Sequence, residues 1–256
     1  MYISFINDQE KDDCGSYEPN VHPFYTDTFT ALYELSSNYH KPTDLRDSNT
    51  DWMIPPLKRT LDHTNKEPLL FFDVRTTEDF SSPAPAYLLL KKLALEHTSP
   101  LSIKGMGTLA VVQAFQITNL YLTDSGTALF NVAEEYHRFD PVQEIQLGGS
   151  AVSFLLSKRQ GEMIIEEYGF FDSEEEMTSY LSENIFDIIY TDSFQIFGYA
   201  NTSPLYRFLT DAFRKLSELN VRLTSFRTAF LARYKDKYGY YVIRKDGNAS
   251  ENCLGT

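Results

Sequence analysis

Apolar and polar positions recur along this chain at two spacings, and from residue 52 onward those spacings divide it into helices and strands. Trp52 to Asp62 reads as an amphipathic helix opened by Pro55 and Pro56, and Leu69-Leu70-Phe71-Phe72-Asp73-Val74 as a buried strand. Prolines 83 and 85 punctuate the next loop, and Ala86 to Ala94 predicts a helix. Ser102-Ile103 predicts a short strand ahead of the turn Gly105-Met106-Gly107-Thr108. The run that follows, Leu109 to Phe115, is apolar but for Gln113, so a helix from about Thr108 to Leu122 has to be buried on all sides. Thr127 to Ala133 and Ala151 to Leu156 are strong strand patterns, with Met163 to Tyr168 expected to pair beside the second. The acidic run Asp172-Ser173-Glu174-Glu175-Glu176 fits a solvated loop or a helix start, and the chain then looks aromatic and irregular to about Thr202. Leu205, Phe208, Leu209, Ala212, Phe213, Leu216 and Leu219 fall at helical spacing. A second helix is predicted near Phe226 to Tyr234, then a strand over Tyr240 to Arg244 and a turn at Lys245-Asp246-Gly247-Asn248.

Strands alternating with helices around one apolar helix predict an α/β layered fold in which that helix is sandwiched by sheets. Residues 7–50 are polar and rich in Asp, Ser, Thr and Asn, which predicts a loop-rich segment with one short helix near Tyr25 to Leu35. With 42% apolar residues over 256 positions there is material for a sizeable core. No run reaches the roughly 18 apolar residues that a membrane-spanning helix needs, and Met1-Tyr2-Ile3-Ser4-Phe5 lacks the layout of a signal peptide, so no membrane span and a cytoplasmic location are expected. Cys14 and Cys253 form no disulfide framework and have no zinc-ligand spacing, and no metal site is expected. The net charge of −13 divides into −18 over residues 1–200 and +5 over residues 201–256. Nucleic acid is therefore not an expected partner of the body of the protein, and the basic residues near the C-terminus read as decoration of two amphipathic helices.

Candidate chemistry begins at the glycine turn, because a turn opening into a buried helix is where such folds place a nucleophile. Gly105-Met106-Gly107 is too short for a dinucleotide or phosphate-loop fingerprint. Asp73, Glu78 and Asp79 after one strand, and Glu134-Glu135-Tyr136-His137 after another, read as loop solvation and as a surface or interface group. Asn201-Thr202-Ser203 and Asn248-Ala249-Ser250 have the form of glycosylation sequons and read as chance or as structure.

The order of several short motifs resembles the ketoacyl synthase III branch of thiolase-fold enzymes. They are the proline-containing loop Asp79 to Ala86, the turn at 105–108 with Ala114 and Tyr121 downstream, and the strand Leu129 to Ala133 with Glu134, which looks like a dimer-edge strand. Further on come Leu147-Gly148-Gly149-Ser150, similar to the family's Gly-Asp-Gly-Ala turn with Gly149 at the acid's place, and Gly247-Asn248-Ala249-Ser250, similar to its Gly-Asn-x-Ser turn. The resemblance implies one thiolase-like domain over 1–256, with pseudo-halves of about 1–165 and 166–256. It places Thr108 at the family's acyl-accepting cysteine and Asn248 at its oxyanion asparagine, with Gly149 and Ser150 lining the substrate. The family's chemistry needs a thiolate whose pKa is lowered at a helix N-terminus, with a histidine and an asparagine to stabilise the developing charge. Here the first is a threonine. All five histidines, His22, His40, His63, His97 and His137, precede the second half, where the family places its catalytic one.

These departures imply a non-catalytic ketoacyl synthase III-like subunit supporting an active acyl-thioester condensing partner in fatty-acid-like or secondary-metabolite synthesis. It would need no cofactor, would meet acyl-coenzyme A or acyl carrier protein only as a thioester ligand, and would form a homodimer or a heterodimer with a catalytic subunit. The alternatives are an acyltransferase or thioester hydrolase using Thr108, which would need a base beside it, and an interaction or immunity-type protein with no acyl ligand. Relatives continue beyond the point where this sequence ends, so a shortened C-terminal half with a half-finished sheet, covered by a partner, is expected.

Overall fold

An α-helix that is apolar on every side has to be enclosed, and the architecture is arranged around one. The computed structural model describes residues 1–11, 51–75, 85–104, 106–138, 146–192, 202–203, 208–234 and 236–247. Its strands, in chain order, are β1 (Tyr2–Lys11), β2 (Leu70–Arg75), β3 (Ser99–Ile103), β4 (Thr127–Arg138), β5 (Gln146–Ser157), β6 (Met163–Phe171), β7 (Ile188–Asp192), β8 (Thr202–Ser203), β9 (Phe226–Tyr234) and β10 (Lys237–Lys245). The α-helices are α1 (Ile54–Leu61), α2 (Pro85–Leu93), α3 (Ala110–Tyr121), α4 (Glu174–Glu183) and α5 (Phe208–Arg222).

The strand order is β3-β2-β4-β5-β1-β6-β10-β9-β7-β8. Its two halves are the same arrangement written twice. In the first, β2 runs parallel to β3 and β4, and β5 runs antiparallel to β4 and β1. In the second, β7 runs parallel to β8 and β9, and β10 runs antiparallel to β9 and β6. Among the described residues the halves pair as sheet through Tyr2 and Ile3 of β1 against Ile164 and Met163 of β6. Just past that contact β1 carries a bulge between Ser4 and Asn7, with Phe5 at φ +56° stacked on the His63 ring, centroids 4.4 Å apart. A bulge increases local twist, so the strand turns away from β6 and the ribbon divides into two packed layers.

Between those layers lie α3 and α5. Helix α3 packs on β2 and β3 of one sheet and on β6 and β10 of the other, while α5 packs on β1, β4 and β5 of one and β7 of the other. Phe72, Phe130 and Phe154 sit in one row across β2, β4 and β5, stacked at 4.7 and 4.9 Å. The stack continues through Phe213 of α5 at 4.5 Å to Tyr241 of β10 at 6.1 Å and Phe230 of β9 at 4.8 Å, so aromatic rings tie the two sheets together. Helices α1 and α2 cover the outer face of the first sheet and α4 that of the second, giving five layers. The expected sheet–helix–sheet core is present.

Several expectations change. Phe226–Tyr234 is strand β9 and not a helix: it lies between β10 and β7 and is buried on both faces over most of its length, so its apolar residues do not alternate with polar ones and mimic helical spacing. β6 pairs with β10 and with the start of β1, not with β5. β4 is interior to its sheet, so the dimer-edge role drawn from the resemblance does not fit it, and β3 is the edge among the described residues. Residues 2–11 form a strand, so regular structure extends into what read as loop. The acidic run starts α4, where the Ser173 hydroxyl accepts the Glu176 N–H at 3.2 Å as an N-cap. The second sheet has all five strands; the second half, β6 to β10, is shortened in its connections, spanning 163–245 against 2–157 for the first. The expected helix near Tyr25 to Leu35, most of the loop at 79–86 and both cysteines lie outside the described residues.

Phe213→Ala removes the ring that joins the two sheets and should cost about 3–5 kcal/mol of unfolding free energy in chemical denaturation, whereas Leu120→Ala, at a site 78% exposed, should change it by less than about 0.5 kcal/mol.

Candidate functional site

Edge strand β3 leads through Lys104 and Met106 into a 3-10 turn, Gly107–Leu109, and directly on into α3. Gly107 has φ +52°, in the left-handed region, and a Cβ there would collide with the ring of Tyr234. The glycine therefore serves both a backbone conformation and a close approach. Thr108 is 1% exposed, and its hydroxyl donates to the Arg233 carbonyl at 3.1 Å. A carbonyl cannot take up a proton at neutral pH, so this hydrogen bond orients the alcohol without activating it. The hairpin closes on the turn from its second strand too, because a Cβ on Gly239 would stand 2.7 Å from Leu109 Cδ2.

Across the pseudo-symmetry lies a matching contact. Glu134, near the end of β4, is fully buried on the inner face and accepts the backbone N–H groups of Leu209 at 3.1 Å and Thr210 at 2.9 Å, with the Thr210 hydroxyl at 2.6 Å. These N–H groups open α5 and have no acceptor within the helix. Each half thus closes on the start of the other half's central helix, β9 on the turn before α3 and β4 on the first turn of α5. At its far end α5 is held by Lys245, whose Nζ donates to the carbonyls of Asn220 at 2.6 Å and Leu223 at 3.0 Å. Burial pushes the Glu134 carboxyl up from 4.5 to about 8, against the downward pull of the Thr210 hydroxyl and the two N–H groups. A pattern ending Ala133-Glu134-Glu135-Tyr136-His137 looks like a strand running out to water; nothing in it marks the first glutamate as enclosed.

Gly149 and Ser150 lie within β5 rather than in a turn, paired with Glu135 and Glu134 on one side and Lys11 and Glu10 on the other. Both are buried, and Ser150 shares the inner face with Glu134. Asp73 is not solvated: it is fully buried and bound by Arg75 Nε at 3.1 Å and Asn131 Nδ2 at 2.9 Å under the outer helices, a structural ion pair. Among the described residues no group of three His, Cys, Asp or Glu is placed to hold a metal ion.

Asn248 lies outside the described residues, but its neighbour Gly247 follows β10 and approaches Thr224. Thr108 is bonded at the opposite end of the β9–β10 hairpin. The seven steps of β9 from Phe226 to Arg233 put about 23 Å between those ends. The structure therefore does not bring residue 247 to Thr108. In the second half the place equivalent to the β3 turn is the connection from β8 to α5. Thr202–Ser203 forms β8, so the Asn201-Thr202-Ser203 sequence leads into that connection.

No family model matches the sequence, and no curated protein matches it. Solved structures do match the fold. The tetronic acid condensing enzyme AbyA1 is 14% identical with TM-score 0.60, covering 96% of this chain and 100% of its own. A variant of OleA from Xanthomonas campestris is 9% identical with TM-score 0.59, covering 95% and 98%. The 3-oxoacyl-[acyl-carrier-protein] synthase III of Aquifex aeolicus VF5 is 12% identical with TM-score 0.53, covering 94% and 99%. The chain has the thiolase-like fold of ketoacyl synthase III-type condensing enzymes.

Because Glu134 holds its proton more tightly folded than unfolded, its contribution to stability is fully present below pH 4.5 and is lost as the pH rises through about 8. Thermal melts should show that decline in the wild type and a flatter profile in Glu134→Gln, which keeps an acceptor for the α5 N–H groups but does not titrate.

Proposed function

We propose that this protein is a ketoacyl synthase III-like subunit that forms no acyl-enzyme and supports an acyl-thioester condensing partner in fatty-acid-like or secondary-metabolite synthesis. The observation that carries the reading is the state of Thr108. At the turn into the buried helix the family's chemistry calls for a thiolate, and here an alcohol donates a hydrogen bond to the Arg233 carbonyl. An alcohol stays protonated near neutral pH, and a carbonyl is not a base that could ready it for attack.

The sequence adds to this. No histidine follows His137, so an imidazole is lacking in the second half whether the asparagine turn is placed at Asn248 or at Asn201. The fold similarity to condensing enzymes supports an acyl thioester, on coenzyme A or on an acyl carrier protein, as the ligand class of the assembly. The reading assigns the condensation itself to the partner, and assigns to this chain a scaffold that pairs with it. Edge strand β3 is the element on which such pairing would extend the first sheet.

Incubation with acyl-coenzyme A and with acylated carrier protein, followed by intact-mass measurement, should show no covalent acyl adduct on this chain. An adduct that disappears in Thr108→Ala would replace this reading with that of an acyltransferase or hydrolase acting through Thr108.

A further inference from the structure

We propose that the tip of the β9–β10 hairpin is a plug that seals the turn carrying Thr108, with the ring of Tyr234 as its sealing face. The inference deepens the reading above and rests on it only for the identity of what is shut out, an acyl thioester.

Three contacts converge on one turn. The Tyr234 ring lies against the Cα of Gly107 so closely that no side chain fits between them. One residue along the hairpin, the Arg233 carbonyl takes the Thr108 hydroxyl. From β10, Gly239 leaves room for Leu109: a Cβ there would stand 2.7 Å from Leu109 Cδ2, which would have to move, and 3.4 Å from Val112 Cγ2 of α3. Glycine thus stands on each side of the contact, at 107 on the turn and at 239 on the hairpin, and in each case the partner is a large apolar side chain from the opposite element. Strands β9 and β10 stay paired as far as Tyr234 and Lys237, so the ladder holds Tyr234 in place. The Arg233 guanidinium lies 5.4 Å over the Tyr238 ring and braces the tip across the two strands.

A ligand reaching Thr108 from the side of Gly107 would have to displace the Tyr234 ring. The ring is half-buried and packs against the central core, so moving it exposes apolar surface and breaks the fit to Gly107. The sealing property belongs to the flat ring and not to its hydroxyl. A phenylalanine would serve equally, while a side chain that cannot lie flat on the glycine would leave a path to position 108.

The test needs no acyl ligand, so it can fail independently of the proposed function. In full-length Thr108→Cys, alkylation by iodoacetamide is followed at position 108 by peptide mass mapping, with circular dichroism melts reporting the fold. The expected result is slow alkylation, about tenfold or more faster in Thr108→Cys/Tyr234→Ala and unchanged in Thr108→Cys/Tyr234→Phe. Should the alanine variant melt below the assay temperature, Tyr234→Leu keeps an apolar contact with the hairpin and should still raise the rate by about threefold. Fast alkylation of Thr108→Cys with Tyr234 intact, or equal rates with tyrosine and with leucine or alanine at 234, would overturn the plug. An acyl adduct on the wild-type Thr108 would instead overturn the proposed function and leave the plug to be judged by these rates.

Discussion

A carboxyl group enclosed among apolar side chains has to be matched with donors or it unfolds what surrounds it, and the first turn of a helix enclosed in the same way has to find acceptors. Glu134 and the start of α5 solve both problems with one set of hydrogen bonds. Because Glu134 belongs to the first half of the chain and α5 to the second, the bonds also fix how the halves meet. The aromatic stack from Phe72 to Phe230 supplies attraction across the middle layer, but stacked rings tolerate sliding. Three short hydrogen bonds to one carboxyl do not, so Glu134 sets the register in which the rings pack.

Pseudo-symmetry carries that constraint to the candidate site. Where β4 meets α5 through a side-chain carboxyl, β9 meets the turn before α3 through a backbone carbonyl and the face of a tyrosine. The same architectural joint is thus built twice from different chemistry. On the α5 side it is polar and satisfies backbone donors. On the α3 side the Arg233 carbonyl accepts the Thr108 hydroxyl and the Tyr234 ring packs against Gly107. The fold is shared with condensing enzymes, and in this chain both joints hold the central helices in place.

Much of this was legible in the residues. Helix α3 was readable because its first two turns are almost wholly apolar, α5 because its apolar positions recur at helical spacing over about four turns, and β2, β4 and β10 because their apolar runs are bounded by turns. β9 was not, since Phe226-Arg227-Thr228-Ala229-Phe230-Leu231-Ala232 is buried on both faces and loses the alternation that marks a strand. With β9 read as a helix, the second sheet lacks one of its central strands. The enclosure of Glu134 was hidden for a different reason: burial of an acid depends on donors 75 residues away, and no local pattern reports them.

The amides of Leu209 and Thr210 report the central joint most directly, because as first-turn groups they owe their protection to the Glu134 carboxyl and not to the helix itself. Native-state hydrogen exchange should find both protected in the wild type, and in Glu134→Ala should find them exchanging at least about tenfold faster than any change at Ala114 and Phe115 in α3. Equal protection of Leu209 and Thr210 with and without that carboxyl would contradict the account.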